Sequence, residues 1–280
     1  MNKTVLQVGC FGEPGSFSYE AMEKYFQGIE KKESYYAYFE DVVQAVKKQK
    51  IQYGVLPIEN SSTGGITDVY DLIRRYDCAI VGEKCVKIEH NLMAIPGVAL
   101  ENIREVYSHP QGFAQCKNFF GTHPKMTQIP YFNTSQSAKM VHEKQSSYMA
   151  AVAGRRAADL YGLRILAENI NMNTYNYTRF FIIANQQEYV QTADKITLVV
   201  VVKHEPGSLY KTLGHFYHSG LNMMNIESRP LESRPFEYFF HIDLQGNLKD
   251  EKVHCAFEQL KDDCTYYKVL GNYLADKEGV

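Results

Sequence analysis

Asn176-Tyr177-Thr178-Arg179-Phe180-Phe181-Ile182-Ile183-Ala184 is the stretch on which the fold turns. Its first part gathers an amide, two hydroxyls and a guanidinium into four residues. From Arg179 to Ala184 it is strongly apolar and strand-like. We expect this strand, the last of a long alternating block, to return to the sheet in which the chain begins.

Outward from it, the earlier chain alternates strand and helix patterns. Val5–Phe11 reads as a strand, Ser16–Phe26 as a helix and Tyr35–Phe39 as a second short strand. Asp41–Lys50 carries Val42, Val43 and Val46 at helical spacing, with acidic Glu40 and Asp41 at its start. Tyr53–Pro57 is a short buried strand. Such alternation predicts an α/β sheet with helices on both faces. A second block follows. Ala79–Leu92 is strand-rich, and Val106–Ser108 is a short strand ending at a His-Pro turn. Gly112–Phe120, Thr134–Glu143 and the alanine-rich Ser147–Tyr161 read as helices, the last closed by Gly162. Arg164–Ala167 is a strand. Two lobes result, about 1–78 plus 170–185 and about 79–169, with a cleft between them and the polar motifs at strand ends.

Gln186–Asp194 is polar and reads as a linker. Residues 195–275 have a different rhythm. Lys195–Lys203 is a strand, and Pro206-Gly207 opens a helix closed by Gly220. Leu221–Leu231 and Phe236–Leu244 are strands, Asp250–Leu260 a helix and Thr265–Leu270 a strand. This βαββαβ order is the ferredoxin-like arrangement.

Composition narrows the function. The 280 residues suggest two domains, and 45% apolar with 22% charged residues is ordinary for a globular protein. A net charge of -2 without a basic run argues against nucleic acid as a partner. No apolar stretch approaches the roughly 18 residues that suggest a membrane span. Cys10, Cys78, Cys85, Cys116, Cys255 and Cys264 show no CxxC spacing and read as free thiols of a reducing cytoplasm. No ligand cluster has metal-site spacing, so we expect neither metal nor other cofactor.

Three further motifs accompany the opening one. Gly12-Glu13-Pro14-Gly15-Ser16-Phe17-Ser18 joins strand to helix. Its glycines and its Ser16 or Ser18 cap suit either an anion at a helix N-terminus or a plain strand–helix turn. Pro57-Ile58-Glu59-Asn60-Ser61-Ser62-Thr63-Gly64-Gly65 puts an amide and three hydroxyls at a strand end, where Glu59 is an acid or an anchor for a neighbouring loop. In Ser108-His109-Pro110-Gln111, followed by Gln115-Cys116, Ser108 and Gln115 can face one pocket. His109 reads as a turn residue before it reads as a base, and Cys116 as a buried thiol. Arg179 can grip a carboxylate or form an ion pair within its lobe. In the C-terminal unit, Glu205–Leu209 precedes a helix and Glu227-Ser228-Arg229-Pro230 ends a strand. The tetrapeptide recurs at Glu232-Ser233-Arg234-Pro235, for which we have no functional account.

Together, Gly12–Ser18, Gly54–Gly64, Ser108–Cys116, Ala150–Leu163 and Asn176–Phe181 resemble the catalytic domain of the prephenate dehydratase family over residues 1–185. Residues 195–275 resemble its ACT regulatory domain through Gly207–Leu209 and Asn222–Pro230. The resemblance implies a two-lobed fold like type 2 periplasmic binding proteins. It implies loss of water and carbon dioxide from prephenate, giving phenylpyruvate. On that resemblance Thr178 donates the proton to the departing hydroxyl, and Asn60, Ser108 and Gln115 orient the substrate. Ser16, Ser61, Arg179 and Phe180 bind it, the first and third near its carboxylates. Phenylalanine, as effector, binds a subunit interface at Gly207, Leu209, Asn222, Glu227, Ser228, Arg229 and Pro230 of a homodimer or homotetramer. Alternatives are an arogenate dehydratase, a ligand-binding receptor, or a non-catalytic amino-acid sensor.

Overall fold

The computed structural model describes residues 5–188, 190–231 and 234–278, so Glu232 and Ser233 of the second tetrapeptide lie outside the described residues. The chain opens with β1 (Leu6–Phe11), α1 (Phe17–Tyr25), β2 (Lys31–Tyr36), α2 (Phe39–Lys47) and β3 (Tyr53–Asn60). There follow β4 (Gly64–Gly65), α3 (Thr67–Tyr76) and β5 (Ala79–Lys87). The second lobe comprises β6 (Asn91–Ala94), β7 (Glu105–Ser108), α4 (Pro110–Gln115), α5 (Lys117–Thr122) and β8 (Thr127–Pro130). It continues with α6 (Thr134–Lys144), β9 (Met149–Ala153), α7 (Arg155–Tyr161) and β10 (Arg164–Ala167). Then β11 (Tyr177–Ala184) returns to the first lobe. The C-terminal domain is β12 (Lys195–Val202), α8 (Ser208–His218), β13 (Met223–Pro230), β14 (Tyr238–Gln245), α9 (Glu251–Asp263) and β15 (Cys264–Tyr273).

Three sheets organise these elements, in the orders β2-β1-β3-β11-β5, β10-β6-β9-β7-β8 and β13-β14-β12-β15. The expected return of β11 is observed: it lies antiparallel between β3 and β5, pairing Thr178 with Asn60 and with Val86. The two crossing segments are tied together, Ile88 N–H donating to Asn176 C=O (2.7 Å) and Ile170 N–H to His90 C=O (2.9 Å). The expected α/β, two-lobed layout is present, with a ferredoxin-like third domain.

Several elements depart from the sequence reading. Ala79–Lys87 belongs to the first sheet, so the lobes part near residue 88 rather than 79. Its hydrogen bonds with β11 run from Ala79 to Lys87, and Ala79–Leu92 contains no turn signal that would separate β5 from β6. Within Ser147–Tyr161, Met149–Ala153 is a strand and only Arg155–Tyr161 is helical. Burial between β6 and β7 overrides the helix preference of alanine there. Gly154 caps α7 where an added Cβ would lie 3.0 Å from the Phe17 ring. The helix α3 and strand β8 lie in stretches to which the sequence patterns gave no element.

The C-terminal domain is not a unit hung on a linker. Val199, Val201, Phe239, Leu270 and Tyr273 share one core with Val42, Leu56, Tyr70 and Phe181 of the first lobe. At Gly271 the two domains approach so closely that a Cβ would strike the Ile80 backbone carbonyl. A bidentate Arg229–Asp71 pair (2.6 and 3.2 Å) adds to the contact. Thus the sheet face away from α8 and α9 is covered by the chain itself.

Candidate active site

Strand alternation decides which residues of β11 reach the cleft. Thr178 and Phe180 point into a cavity of about 380 Å³ between the lobes. That volume lies within the roughly 300–1,000 Å³ usual for small-molecule sites. Arg179 points the other way. Its guanidinium donates to Glu59 (2.6 Å) and to Asp243 of the C-terminal domain (2.8 Å), and stands 3.5 Å from Glu83. Lys195 completes this buried cluster, 2.7 Å from Glu83 and 3.4 Å from Asp243. Burial alone would raise the Asp243 carboxyl; the Arg179 and Lys195 charges outweigh it and hold its pKa below the ordinary carboxylate value. The expectation that Arg179 holds a substrate carboxylate is therefore corrected. It forms an interdomain ion pair, and Glu59 is an anchor.

The cleft floor is a hydrogen-bonded set built on Asn60. Its amide nitrogen lies 2.9 Å from Thr178 Oγ1, 2.8 Å from Asn176 Oδ1 and 3.1 Å from Tyr177 C=O, so its two hydrogens are shared among three acceptors. Its Oδ1 accepts from the backbone N–H groups of Ser62 (3.0 Å) and Thr63 (3.2 Å). Asn60 is thus locked from both ends, and Thr178 receives a hydrogen bond at its oxygen. The threonine proton remains available to whatever occupies the cleft.

The other expected residues divide. Ser16 lines the cavity and caps α1, accepting from Tyr19 N–H (3.2 Å). Gln115 lines it too, its Oε1 2.7 Å from His90 Nε2. Ser108 does not reach it: fully buried, it donates to Val152 C=O (2.8 Å) and ties β7 to β9. Ser61 does not either; it clamps the preceding loop through Tyr175 C=O (3.1 Å) and Tyr177 N–H (2.9 Å). His109 is the turn residue expected, its Nδ1 accepting from Gln111 N–H (3.2 Å) at the start of α4. Burial pushes the Cys116 thiol up to about 12, which leaves it inert.

Sequence reasoning missed His90, Asn133, Phe11 and Phe39. Phe11 and Phe39 supply an apolar wall, their ring centroids 4.4 Å apart. Asn133 caps α6, accepting from Gln136 N–H (2.7 Å). Among the described residues that line it, none is Lys or Arg. Instead the N-termini of α1 and α6, at Ser16 and at Asn133-Thr134, open onto the cavity and offer partial positive charge. The lobes touch across the mouth. Gln111 donates to Thr63 (3.2 Å), Gln136 to Glu13 (2.6 Å) and Ser135 to Pro14 C=O (2.6 Å). A wider recess of about 570 Å³ lies outside, among Glu20, Glu23, Arg155 and Arg156, but Arg155 and Arg156 already face Glu168 and Glu23, and its Lys24 and Lys87 face Glu20 and Glu89. Among the described residues no three His, Cys, Asp or Glu side chains are grouped to hold a metal ion, and no helix is long and apolar enough to cross a membrane.

The effector candidates are not brought together within one chain. Gly207, left-handed at φ 82°, starts α8 beyond the Val202 end of β12, near Leu209. Asn222 precedes Met223, which pairs with Leu244 at the opposite end of the sheet. Ser228 and Pro230 are exposed on the edge strand β13, whereas Arg229 turns to Asp71 and Glu227 to Gly65.

The prephenate dehydratase family model matches residues 8–188. The bifunctional chorismate mutase/prephenate dehydratase of Aquifex aeolicus is 33% identical over 269 residues, covering 96% of this chain and 73% of that protein. Among solved structures, a prephenate dehydratase of Arthrobacter aurescens in complex with L-Phe has a TM-score of 0.87 at 30% identity, covering 96% of this chain and 90% of that one. GqqA, described as a novel type of quorum-quenching acylase, has a TM-score of 0.88 at 30% identity over 97% and 98% of the two chains.

Proposed function

Because the chain belongs to the prephenate dehydratase family, we propose that its interlobe cleft binds prephenate and that Thr178 protonates the leaving hydroxyl. The enzyme converts prephenate to phenylpyruvate in phenylalanine biosynthesis. In that reaction the bond from ring to carboxylate breaks, and its electron pair moves through the diene. The C–O bond then breaks, and hydroxide takes a proton and leaves as water beside carbon dioxide. Gain of the aromatic ring drives the reaction, so the protein's task is to orient the ring and stabilise charge on the departing oxygen.

The hydrogen bond from Asn60 to Thr178 carries the assignment. It occupies a lone pair of the hydroxyl oxygen with a rigid, buried partner that cannot accept, which leaves the hydroxyl proton for the cleft. A threonine is a weak acid, so its contribution comes through a hydrogen bond in a dry site. Phe11, Phe39 and Phe180 suit the ring, and the α1 and α6 N-termini suit the two carboxylates. An acylase-like reading lacks its nucleophile: among the described residues neither cleft histidine is hydrogen-bonded to a Ser, Thr or Cys.

Phenylalanine is the effector in this reading, bound where Gly207 and Leu209 of one chain meet Asn222 and Ser228 of a second. The opposite positions of these groups on one sheet favour a two-fold pair. Six cysteines without a disulfide fit a cytoplasmic location. The test is turnover of prephenate to phenylpyruvate, followed by absorbance. Thr178→Ala should lower kcat by about 10²–10⁴-fold with little change in KM, and Thr178→Ser should recover much of it. A Thr178→Ala enzyme at wild-type kcat would remove Thr178 from the chemistry.

A further inference from the structure

We propose that His90 is a positioning residue that fixes the Gln115 side chain, so that the amide nitrogen of Gln115 presents its hydrogens to the bound substrate. The inference rests on the reading of the cleft as the prephenate site. His90 stands at the first crossing between the lobes and is only 3% exposed, yet it lines the cavity. Its backbone is held on both sides, Asn171 Oδ1 accepting from its N–H (3.0 Å) and Ile170 N–H donating to its C=O (2.9 Å). Its ring meets Phe17 edge-on at 5.7 Å between centroids. Burial and the Phe17 contact hold the imidazole against the wall, where Nε2 lies 2.7 Å from Gln115 Oε1.

The tautomer follows from the partner. A Gln Oε1 offers only lone pairs, so Nε2 carries the proton and donates. Burial lowers the imidazole pKa below its ordinary value, with the Gln115 contact opposing, so the ring is neutral near pH 7. Fixing Oε1 against His90 turns the Gln115 nitrogen, a double donor, away from the wall. A donor so held faces a substrate whose polar groups are carboxylates, a ketone and a hydroxyl, all of them acceptors. Nδ1 then keeps its lone pair, buried and without a protein partner among the described residues. A buried unpaired acceptor costs stability, and retaining one at a cavity wall fits a function there rather than packing.

Three His90 variants separate positioning from packing. In His90→Gln the amide nitrogen falls near the former Nε2, so a donor to Gln115 survives. In His90→Asn it falls near the former Nδ1, and the donor is lost while polarity is kept. His90→Leu loses both. We expect His90→Gln to stay within about threefold of wild-type kcat, and His90→Asn and His90→Leu to fall by about 10–100-fold, the scale of a misplaced cleft group. On a Gln115→Ala background, His90→Leu should add less than about threefold, because coupled residues are not additive. The proposal is overturned if His90→Asn matches or exceeds His90→Gln, or if His90→Leu costs its full factor with Gln115 already absent. Thr178→Ala, measured alongside, tests the cleft reading separately. Wild-type kcat in that variant would remove Thr178 from the chemistry, and in either case the His90 comparison decides the positioning role by itself.

Discussion

Arg179→Met distinguishes a guanidinium that grips substrate from one that binds two domains together. The wild-type cluster sets two cations, Arg179 and Lys195, against three carboxylates, Glu59, Glu83 and Asp243. Removing Arg179 leaves Lys195 alone opposite all three, and Glu83 and Asp243 have side chains only 3% exposed. Breaking a buried pair from one side costs about 3–5 kcal/mol, because the remaining charge is stranded out of water. With roughly 2–4 °C of Tm per kcal/mol for a protein of this size class, Tm should fall by about 6–20 °C without any ligand present. KM for prephenate should change little in whatever fraction stays folded. A substrate-gripping Arg179 gives the reverse pattern. Loss of a charge-assisted hydrogen bond worth about 1.5–3 kcal/mol raises KM by about 10–100-fold and leaves the ligand-free Tm alone. Scanning calorimetry and steady-state kinetics on the same preparation decide between them. Asp243→Asn, reaching the cluster from the C-terminal domain, should share the Tm effect and be less than additive with Arg179→Met. An unchanged Tm with a raised KM would refute the interdomain role and restore the guanidinium to the cleft.

Two predictions concern the C-terminal domain. Asn222→Ala should raise the phenylalanine concentration needed for half-inhibition while leaving uninhibited kcat unchanged, because Asn222 does not line the cleft; unaltered sensitivity would exclude it from the effector site. His241 has its pKa lowered to about 4 by burial and by Arg74, against the opposing charges of Asp243 and Asp71, with Tyr70 packed beside it. The unfolded chain takes up this proton near pH 6.5 and the native state does not. Stability that is full above pH 6.5 is therefore lost as pH falls towards 4, by about 2 kcal/mol between pH 7 and 5. Urea unfolding of His241→Leu at both pH values should show that much less acid sensitivity, and an identical pH slope would rule His241 out as its source.

Much of this architecture was legible because its signals are local. The β11 run, the Ser16 cap, the His109 turn and the βαββαβ rhythm all follow from short-range pattern and propensity, and all are present. What the sequence hid is non-local. The change of sheet at residue 88 falls inside Ala79–Leu92, where no proline or glycine marks the end of the first strand. Met149–Ala153 has helix-forming composition and becomes a strand only because two others flank it. His90 stands alone in sequence, and its partner Gln115 is 25 residues away. Packing of β15 against β5 depends on Gly271, which by itself reads as a turn or bulge.

The adjacent triplet Thr178-Arg179-Phe180 carries the sharpest consequence. Read as a motif, its three residues invite one shared role. Read as a strand, they cannot share a face, because successive side chains point to opposite sides of the sheet. Thr178 and Phe180 then belong to the cleft, and Arg179 to the core shared with the C-terminal domain. Each interaction constrains the other. The ion cluster fixes the backbone of β11 at Arg179, and that same backbone sets where the Thr178 hydroxyl sits against Asn60. A shift of the C-terminal domain relative to the first lobe would therefore have to stretch the Arg179–Asp243 contact or move β11 with it. The threonine's position depends on both sides of the sheet, which is a stronger constraint than the cleft residues alone supply.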